Sequence, residues 1–477
     1  MKAYTEKLHE ECGVFGLLRQ QGEGVVSEAY HALYALQHRG QESCGMAVNR
    51  DGVIRCHKDV GLVTEVFTPQ KLRRIEDGGM VVGHCRYGTC GQQNRDNAQP
   101  LLVNHLKGAL ALAHNGALTN ASTLRERYEM NGAIFHSTSD SEVIAYTITQ
   151  QRIGMGSIEE AVRATMDIIE GAYSLVLMSA TKLIAARDPH GFRPLCMGRI
   201  GEDVVFASES CALDAVGATF VRDIAPGEIV VASREGIRSI PWEKSAKRGL
   251  CVFEFIYFAR PDSVVDGLSV QQARITAGRL LARSHPVEAD IVIGAPDSGL
   301  DAALGYSYES GIPYGIGLVK NKYIGRTFIQ PEQKQRADSV RIKLNAVRAA
   351  IEGKRVVLVD DSIVRGTTSA RVVRILREAG AKEVHAVFCS PPFKHMCYFG
   401  TDIDSPETLI ANQHSIEEIG KIIGVDSIGF LRLEDLDQLA CGREIPFCKG
   451  CFTGEYPVDP PESIRKFVFE IPLAKTE

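Results

Sequence analysis

Within ten residues, from Asp360 to Ser369, the chain carries two adjacent aspartates, a glycine and three consecutive hydroxyl side chains, in the run KRVVLVDDSIVRGTTSARVVRILREAG. Asp360 and Asp361 repel a phosphate, so their chemistry suits ribose hydroxyls and a hard divalent cation. Thr367, Thr368 and Ser369 supply hydroxyl donors, and Gly366 lets the backbone approach an anion closely. A second reactive group is Cys12, in the segment Glu10, Glu11, Cys12, Gly13, Val14, Phe15, Gly16. A third is the C-x-x-C pair Cys448 and Cys451, with Cys251 and Cys397 far away in sequence. Each has an ordinary explanation when taken alone. The aspartates and hydroxyls make a turn and a helix cap, Cys12 is a buried thiol, and a C-x-x-C is a redox pair, a zinc half-site or chance. No thioredoxin-like strand precedes the pair, which weakens the redox reading.

The elements around these residues fix where they stand. RVVLVDD reads as a strand, and the residues after Gly366 read as a helix with Val372, Val373, Leu376 and Ala379 inward and Arg371, Arg374, Arg377 and Glu378 outward. The acids and hydroxyls then fall between a strand C-terminus and a helix N-terminus, where free N–H groups and the helix dipole favour phosphate. ADIVIGAPD, IPYGIGLV and EVHAVFCSPP are further strand-like runs, and with intervening helices they give the βαβ rhythm of a parallel sheet. Before residue 243 the runs VVSEAY, GMAVN, GMVVGHCRYGT, GALALAHNG, YSLVLMSATKLIAARD and DVVFASES alternate with glycine turns, which predicts a sheet-rich domain with few helices. The polar stretch from Glu243 to Gly249, just after the single tryptophan Trp242, is the predicted domain boundary.

The 477 residues suffice for two or three domains, and the 44% hydrophobic and 24% charged composition is that of a globular protein. A net charge of -5 provides no field for a nucleic-acid backbone, so an anionic ligand needs a locally built site. The amino-terminal MKAYTEKLHEE lacks the apolar core of a signal peptide, and no run reaches the ~18 apolar residues of a spanning helix. A cytoplasmic location without membrane or nucleic-acid partners is expected. In such a reducing setting the thirteen cysteines are core thiols, a nucleophile or metal ligands rather than a disulfide scaffold.

The strand-DDSIVRGTTS-helix run resembles the phosphoribosyl pyrophosphate motif of type I phosphoribosyltransferases. That resemblance implies substrate contacts from Asp360, Asp361, Ser362, Arg365, Gly366, Thr367, Thr368 and Ser369. GAPDSG (294–299) resembles the family's pyrophosphate-side loop, which places Asp297 and Ser298 near magnesium together with Asp360 and Asp361. VKNKYIGRTFIQP (319–331) looks like its flexible loop, with Lys320 and Arg326 closing over substrate and excluding water. In the first half, LQHRGQESCGMA (36–47), GHCRYGTCG (83–91), AHNGALTN (113–120) and STSDSEV (137–143) follow Cys12 in the order of the N-terminal-nucleophile glutamine amidotransferases. The implied roles make residues 1–11 a propeptide and Cys12 the nucleophile. Its freed α-amino group, with a reference pKa of about 7.7 to 8, is the implied base. Arg86 and Asp140 would bind the glutamine carboxylate and ammonium, and Asn115 and Gly116 would form the oxyanion hole. Arg39 is read as structural or loop-linked rather than catalytic, and Cys85 and Cys90 as packing variants.

CVFEFIYFARPDS (251–263), PPFKHMCYFG (391–400) and CKGCFTGEYP (448–457) resemble the subset of glutamine phosphoribosyl pyrophosphate amidotransferases that hold a [4Fe-4S] cluster. By position the implied ligands are Cys251, Cys397, Cys448 and Cys451, with structural zinc in the same site as the rival; Cys389 and Cys441 lie outside the matched positions. The two motif sets in this order imply an N-terminal-nucleophile sandwich over residues 12–245 followed by a type I phosphoribosyltransferase domain over 250–477. The implied reaction converts glutamine, phosphoribosyl pyrophosphate and water to 5-phosphoribosylamine, pyrophosphate and glutamate, the first step of de novo purine synthesis. The family resemblance also implies a homo-oligomer, commonly a tetramer, inhibited by purine nucleotides. Two rivals are another glutamine amidotransferase, which would lack DDSIVRGTTS, and a non-catalytic phosphoribosyl-binding purine regulator, which would need no glutaminase residues.

Overall fold

The computed structural model of the chain describes residues 12–88, 94–244, 246–321, 344–401, 403 and 405–461. Two antiparallel sheets make up its first half. Seven strands lie in the spatial order Thr219–Asp223, Cys196–Ile200, Asp203–Ala207, Gly13–Leu18, Met80–Arg86, Ser43–Arg50 and Val53–Val60. Six more run Gly236–Pro241, Glu228–Ser233, Leu183–Arg187, Gly171–Met178, Leu110–Leu118 and Leu101–Val103. The sheets face each other through Val14, Val82, Ala111, Val176, Ala185 and Phe206, all fully buried. These strands are apolar on both faces because helices cover the outer sides. Val26–Ala35 packs on the seven-stranded sheet through Ala29, Ala32 and Leu33, and Asp140–Gly154 packs on the other through Val143, Ile144 and Ile148. The result is a four-layered sandwich of helices, two antiparallel sheets and helices.

Two local expectations fail here. VVSEAY is the start of the helix Val26–Ala35, not a strand. Its β-branched opening masks a helical spacing, in which Val26, Ala29, Ala32 and Leu33 share the buried face. The half also holds more helices than expected, with Ala121–Met130, Asp140–Gly154 and Ile158–Thr165 among them.

The second half is built on four parallel strands in the order Ile291–Gly294, Arg355–Asp360, Glu383–Phe388 and Ser427–Phe430. Helices Val270–Ser284 and Gly299–Ser310 cover one face and Thr367–Glu378 the other. This is a parallel sheet with both faces covered, as the alternating pattern predicts. The inward positions Val372, Val373, Leu376 and Ala379 are all buried as the spacing predicts. IPYGIGLV contributes only the short strand Leu318–Lys320 and a bridge at Tyr314. The segment from Leu250 to Phe258 forms a two-residue strand and a turn. Leu250–Cys251 pairs in parallel with Phe447–Cys448, and Glu254–Phe258 then closes a single π turn. Phe192 of the sandwich shares the core of the parallel sheet, stacking on Phe399 at 4.0 Å between ring centroids. No helix among the described residues is long and apolar enough to cross a membrane.

Candidate active sites

Cys12 enters the strand Gly13–Leu18 at the centre of the seven-stranded sheet, buried, with its Sγ donating to the Tyr87 carbonyl at 3.4 Å. Antiparallel pairing of that strand with Met80–Arg86 sets Gly13 opposite Cys85, which brings Arg86 and Tyr87 to the thiol's end of the sheet. Arg86 is buried and lies 3.8 Å from Glu42. Asn115 and Gly116 come from the facing sheet, on Leu110–Leu118. The Asn115 side-chain nitrogen is buried with no hydrogen-bond partner among the described residues. Gly116 has φ 139°, and a Cβ there would stand 2.1 Å from the Ala172 carbonyl oxygen, so only glycine fits this close backbone approach. Asp140 opens the helix Asp140–Gly154 and accepts from Leu118 N at 3.0 Å, which ties it to the strand carrying Asn115.

An orphaned amide donor is costly in a dry interior unless it serves a guest. Burial weakens the two histidines on the neighbouring strands as bases. Burial pushes His84 down to about 3, and its Nε2–H donates to the His114 carbonyl at 2.9 Å. Burial also lowers His114, whose Nδ1 meets Ser141 Oγ at 3.0 Å. Cys85 is fully buried and donates to the Leu33 carbonyl at 3.3 Å, and burial holds its thiol well above the ordinary range, so it packs rather than reacts. Cys90, residues 1–11 and the Glu11–Cys12 bond lie outside the described residues.

One residue carries more than the sequence suggested. Arg39 is fully buried, and its Nε–H donates to the Cys12 carbonyl at 3.0 Å. Its other nitrogens bind Glu209 at 2.6 Å and Glu254 at 2.8 and 2.9 Å. Those partners are 170 and 215 residues away, so no local pattern announces them.

In the second half Asp360 ends its strand and Asp361 follows, both buried. Asp361 accepts from Ser362 Oγ at 2.6 Å and from Ser298 Oγ, which brings the GAPDSG turn to the acids. Parallel pairing of Gly294 with Val359 produces this convergence at the strand C-termini. Gly366 adopts φ 82° immediately before the helix Thr367–Glu378, whose first turn contains Thr367, Thr368 and Ser369. No side-chain cap occupies that terminus among the described residues, which leaves its N–H groups for an anion. Arg365 lies in the same turn. Lys320 reaches Asp297 at 2.6 Å, while Arg326 lies outside the described residues.

Cys251, Cys397, Cys448 and Cys451 line one cavity, walled by Phe192, Phe253, Phe393, Phe399, Ile403 and Tyr456. Register pairing sets Cys251 beside Cys448. Burial pushes the Cys448 thiol up to about 12 and holds the Cys451 thiol well above its ordinary range. Cys389, in the core of the second half, and the exposed Cys441, against Thr276, do not line this cavity.

Comparison with known proteins finds a glutamine amidotransferase domain over residues 84–215 and a phosphoribosyl transferase domain over residues 271–395. Amidophosphoribosyltransferase of Bacillus subtilis is 46% identical over 468 residues, covering 96% of each chain. The Archaeoglobus fulgidus amidophosphoribosyltransferase is 48% identical over 452 residues, 94% of this chain and 98% of the other. A solved structure of the B. subtilis glutamine phosphoribosylpyrophosphate amidotransferase with ADP and GMP superposes with TM-score 0.88 at 45% identity, over 95% of this chain and 99% of that one. Another, described as the allosteric regulatory enzyme of purine biosynthesis, gives 0.90 at 44%, over 97% and 100%.

Proposed function

Because the chain belongs to the amidophosphoribosyltransferase family, the glutamine-dependent transferases of the first step of purine biosynthesis, we propose that its own residues divide that reaction between residues 12–245 and 250–477. Cys12 Sγ attacks the glutamine side-chain amide once residues 1–11 have been removed, and the freed α-amino group takes the thiol proton. That proton passes to the leaving ammonia, and water then releases glutamate from the thioester. Asn115 Nδ2 and the Gly116 N–H receive the negative charge on the tetrahedral intermediate. Arg86 grips the substrate α-carboxylate in a fork and Asp140 its ammonium. The observation that carries this reading is the orphaned Asn115 amide beside Gly116, a donor held ready for a charge absent from the resting protein.

Ammonia moves through the interior to the ribosyl carbon of phosphoribosyl pyrophosphate and displaces pyrophosphate. The 5-phosphate is held by the Gly366 turn and by Thr367, Thr368 and Ser369, with Ser362 and Arg365 beside it. Asp360 and Asp361 orient the ribose hydroxyls, and Lys320 and Arg326 cover the pyrophosphate. Magnesium fits beside Asp360, Asp361 and Ser298, because this ion binds through one or two carboxylates plus substrate oxygens and water rather than a complete protein cage. When bound it supplies charge neutralisation on the leaving pyrophosphate.

The four cavity cysteines fit a [4Fe-4S] cluster. Their donor chemistry is all thiolate, and they stand around a shared apolar cavity. Structural zinc, which holds its donors at about 2.3 Å from one ion, is the rival occupant of the same four thiols. The cluster would serve as a structural tie between the C-terminal segment and the domain junction. A cytoplasmic homotetramer completes the proposal, together with inhibition by purine nucleotides, which the B. subtilis structure with ADP and GMP supports. The alternative, a non-catalytic phosphoribosyl-binding regulator, has no use for the buried thiol and orphaned amide.

One anaerobic preparation tests the reading. A Cys12 amino terminus by mass spectrometry, about four irons per chain and glutamine hydrolysis stimulated by phosphoribosyl pyrophosphate are expected. Retention of residues 1–11 with phosphoribosyl pyrophosphate binding and no ammonia release would refute it, and zinc in place of iron would overturn the cluster alone.

A further inference from the structure

Glu254 belongs to the transferase side of the junction, three residues after Cys251, and it is fully buried. Both of its oxygens bind Arg39, at 2.8 and 2.9 Å. A planar guanidinium held by a bidentate carboxylate has little freedom left, so Glu254 fixes the direction of the Arg39 Nε–H that holds the Cys12 carbonyl at 3.0 Å. The same carboxylate lies 3.6 Å from a second fully buried guanidinium, that of Arg193. Arg193 donates to the Phe399 carbonyl at 2.7 and 3.2 Å, and so anchors the turn that presents Gly400. A Cβ on Gly400 would lie 3.4 and 3.5 Å from the main chain of Gly116, so this turn abuts the oxyanion side of the glutaminase site. One carboxylate of the transferase half therefore reaches both the nucleophile and the oxyanion glycine.

Resting on the catalytic reading above, we propose that Glu254 is a positioning residue for glutamine hydrolysis, holding Cys12 through Arg39 and Gly116 through Arg193 and the Phe399–Thr401 turn. Buried ion pairs are a poor way to gain stability, since well-packed apolar side chains do as well or better. Their value here is directional. Four fully buried charged groups, Arg39, Arg193, Glu209 and Glu254, define one geometry at the place where the two halves meet. Glu209 is itself held by His38 and the Ser263 hydroxyl and binds Arg39 at 2.6 Å, so Arg39 keeps a carboxylate when Glu254 is neutralised. Its guanidinium then turns toward Glu209 and carries the Cys12 carbonyl with it.

The experiment uses the mature, metal-loaded protein and the variants Glu254→Gln and Glu254→Asp. Glutaminase activity, transferase activity with ammonium chloride replacing glutamine, and the iodoacetamide inactivation rate of Cys12 are measured in each sample. Glu254→Gln is expected to lower glutaminase kcat about 100-fold, the scale for a small displacement of reacting groups. The KM for glutamine stays near its original value, because Arg86 and Asp140 are untouched. Ammonium-dependent transfer is retained, the Cys12 inactivation rate changes, and Glu254→Asp recovers part of kcat. Equal proportional loss of both activities in the two variants would assign Glu254 to folding and overturn the proposal, as would unchanged glutaminase. A parent protein lacking glutaminase activity would sink the catalytic reading instead.

Discussion

A donor that points at nothing in the resting protein is most informative when it is removed. Asn115→Ala deletes the buried amide without disturbing a hydrogen bond among the described residues. Glutaminase kcat should fall by about 100- to 1000-fold, or ~2.7 to 4 kcal/mol of barrier, while ammonium-dependent transfer persists; steady-state assays of both activities on one sample check this. An undiminished kcat would remove Asn115 from the oxyanion hole. Arg86→Lys preserves the charge but loses the fork, so its effect belongs in the KM for glutamine, which should rise at least about tenfold for a lost charge-assisted hydrogen bond. Cys12, Arg86, Asn115 and Asp140 can be singled out as candidates because each sits in a short run of characteristic company. Arg39 cannot, because its meaning lies in Cys12, Glu209 and Glu254, which only the folded chain brings to it.

Elements convert such residues into sites through register, and their errors are as instructive as their successes. The strand Arg355–Asp360 and helix Thr367–Glu378 could be read in advance because apolar spacing changes from a continuous run to one of 3.6 residues at Gly366. The helix Val26–Ala35 was obscured by two valines at its start, and the π turn at Glu254–Phe258 by a run of aromatic and β-branched side chains whose fate depends on pairing with Phe447–Cys448. Gly366→Ala tests the strand-to-helix turn. It forces a side chain into φ 82° and against Ile410 Cδ1, 2.6 Å from the new Cβ. A cost of about 1–2 kcal/mol is expected from the backbone alone, with a raised KM for phosphoribosyl pyrophosphate in the ammonium-dependent assay. The strand Met80–Arg86 makes a different prediction through His84. Its folded pKa of about 3 lies below the unfolded value of 6.5, so the unfolded chain binds the extra proton between those limits. Stability is complete above pH 6.5 and falls by about 1.4 kcal/mol for each unit of acidification toward pH 3. His84→Gln should flatten the acid limb of urea midpoint against pH by about one proton; an unchanged slope would refute the buried neutral imidazole.

At the scale of the whole molecule the cores of the two halves run together. Phe192, from the sandwich, stacks on Phe399, from the transferase half, beside the cavity lined by the four cysteines. The amino-acid pattern separates the halves at Glu243–Gly249 but gives no sign of this continuity, since neither phenylalanine lies in a periodic run that crosses the boundary. Phe399→Ala removes a buried ring and leaves a cavity at the junction, a loss of about 3–5 kcal/mol. That loss falls on the coupling between halves more than on either sheet. Trp242 is the single tryptophan and donates to Asp167 at 3.0 Å within the first half, so its fluorescence reports on the sandwich, whereas far-ultraviolet circular dichroism reports on both halves. In urea the two signals of the parent protein should change together. In Phe399→Ala they should separate into two transitions, because each sheet retains its own core while the shared one is weakened. Coincident transitions in the variant, at a midpoint close to the parent's, would mean that contacts other than the Phe192–Phe399 stack bind the halves together.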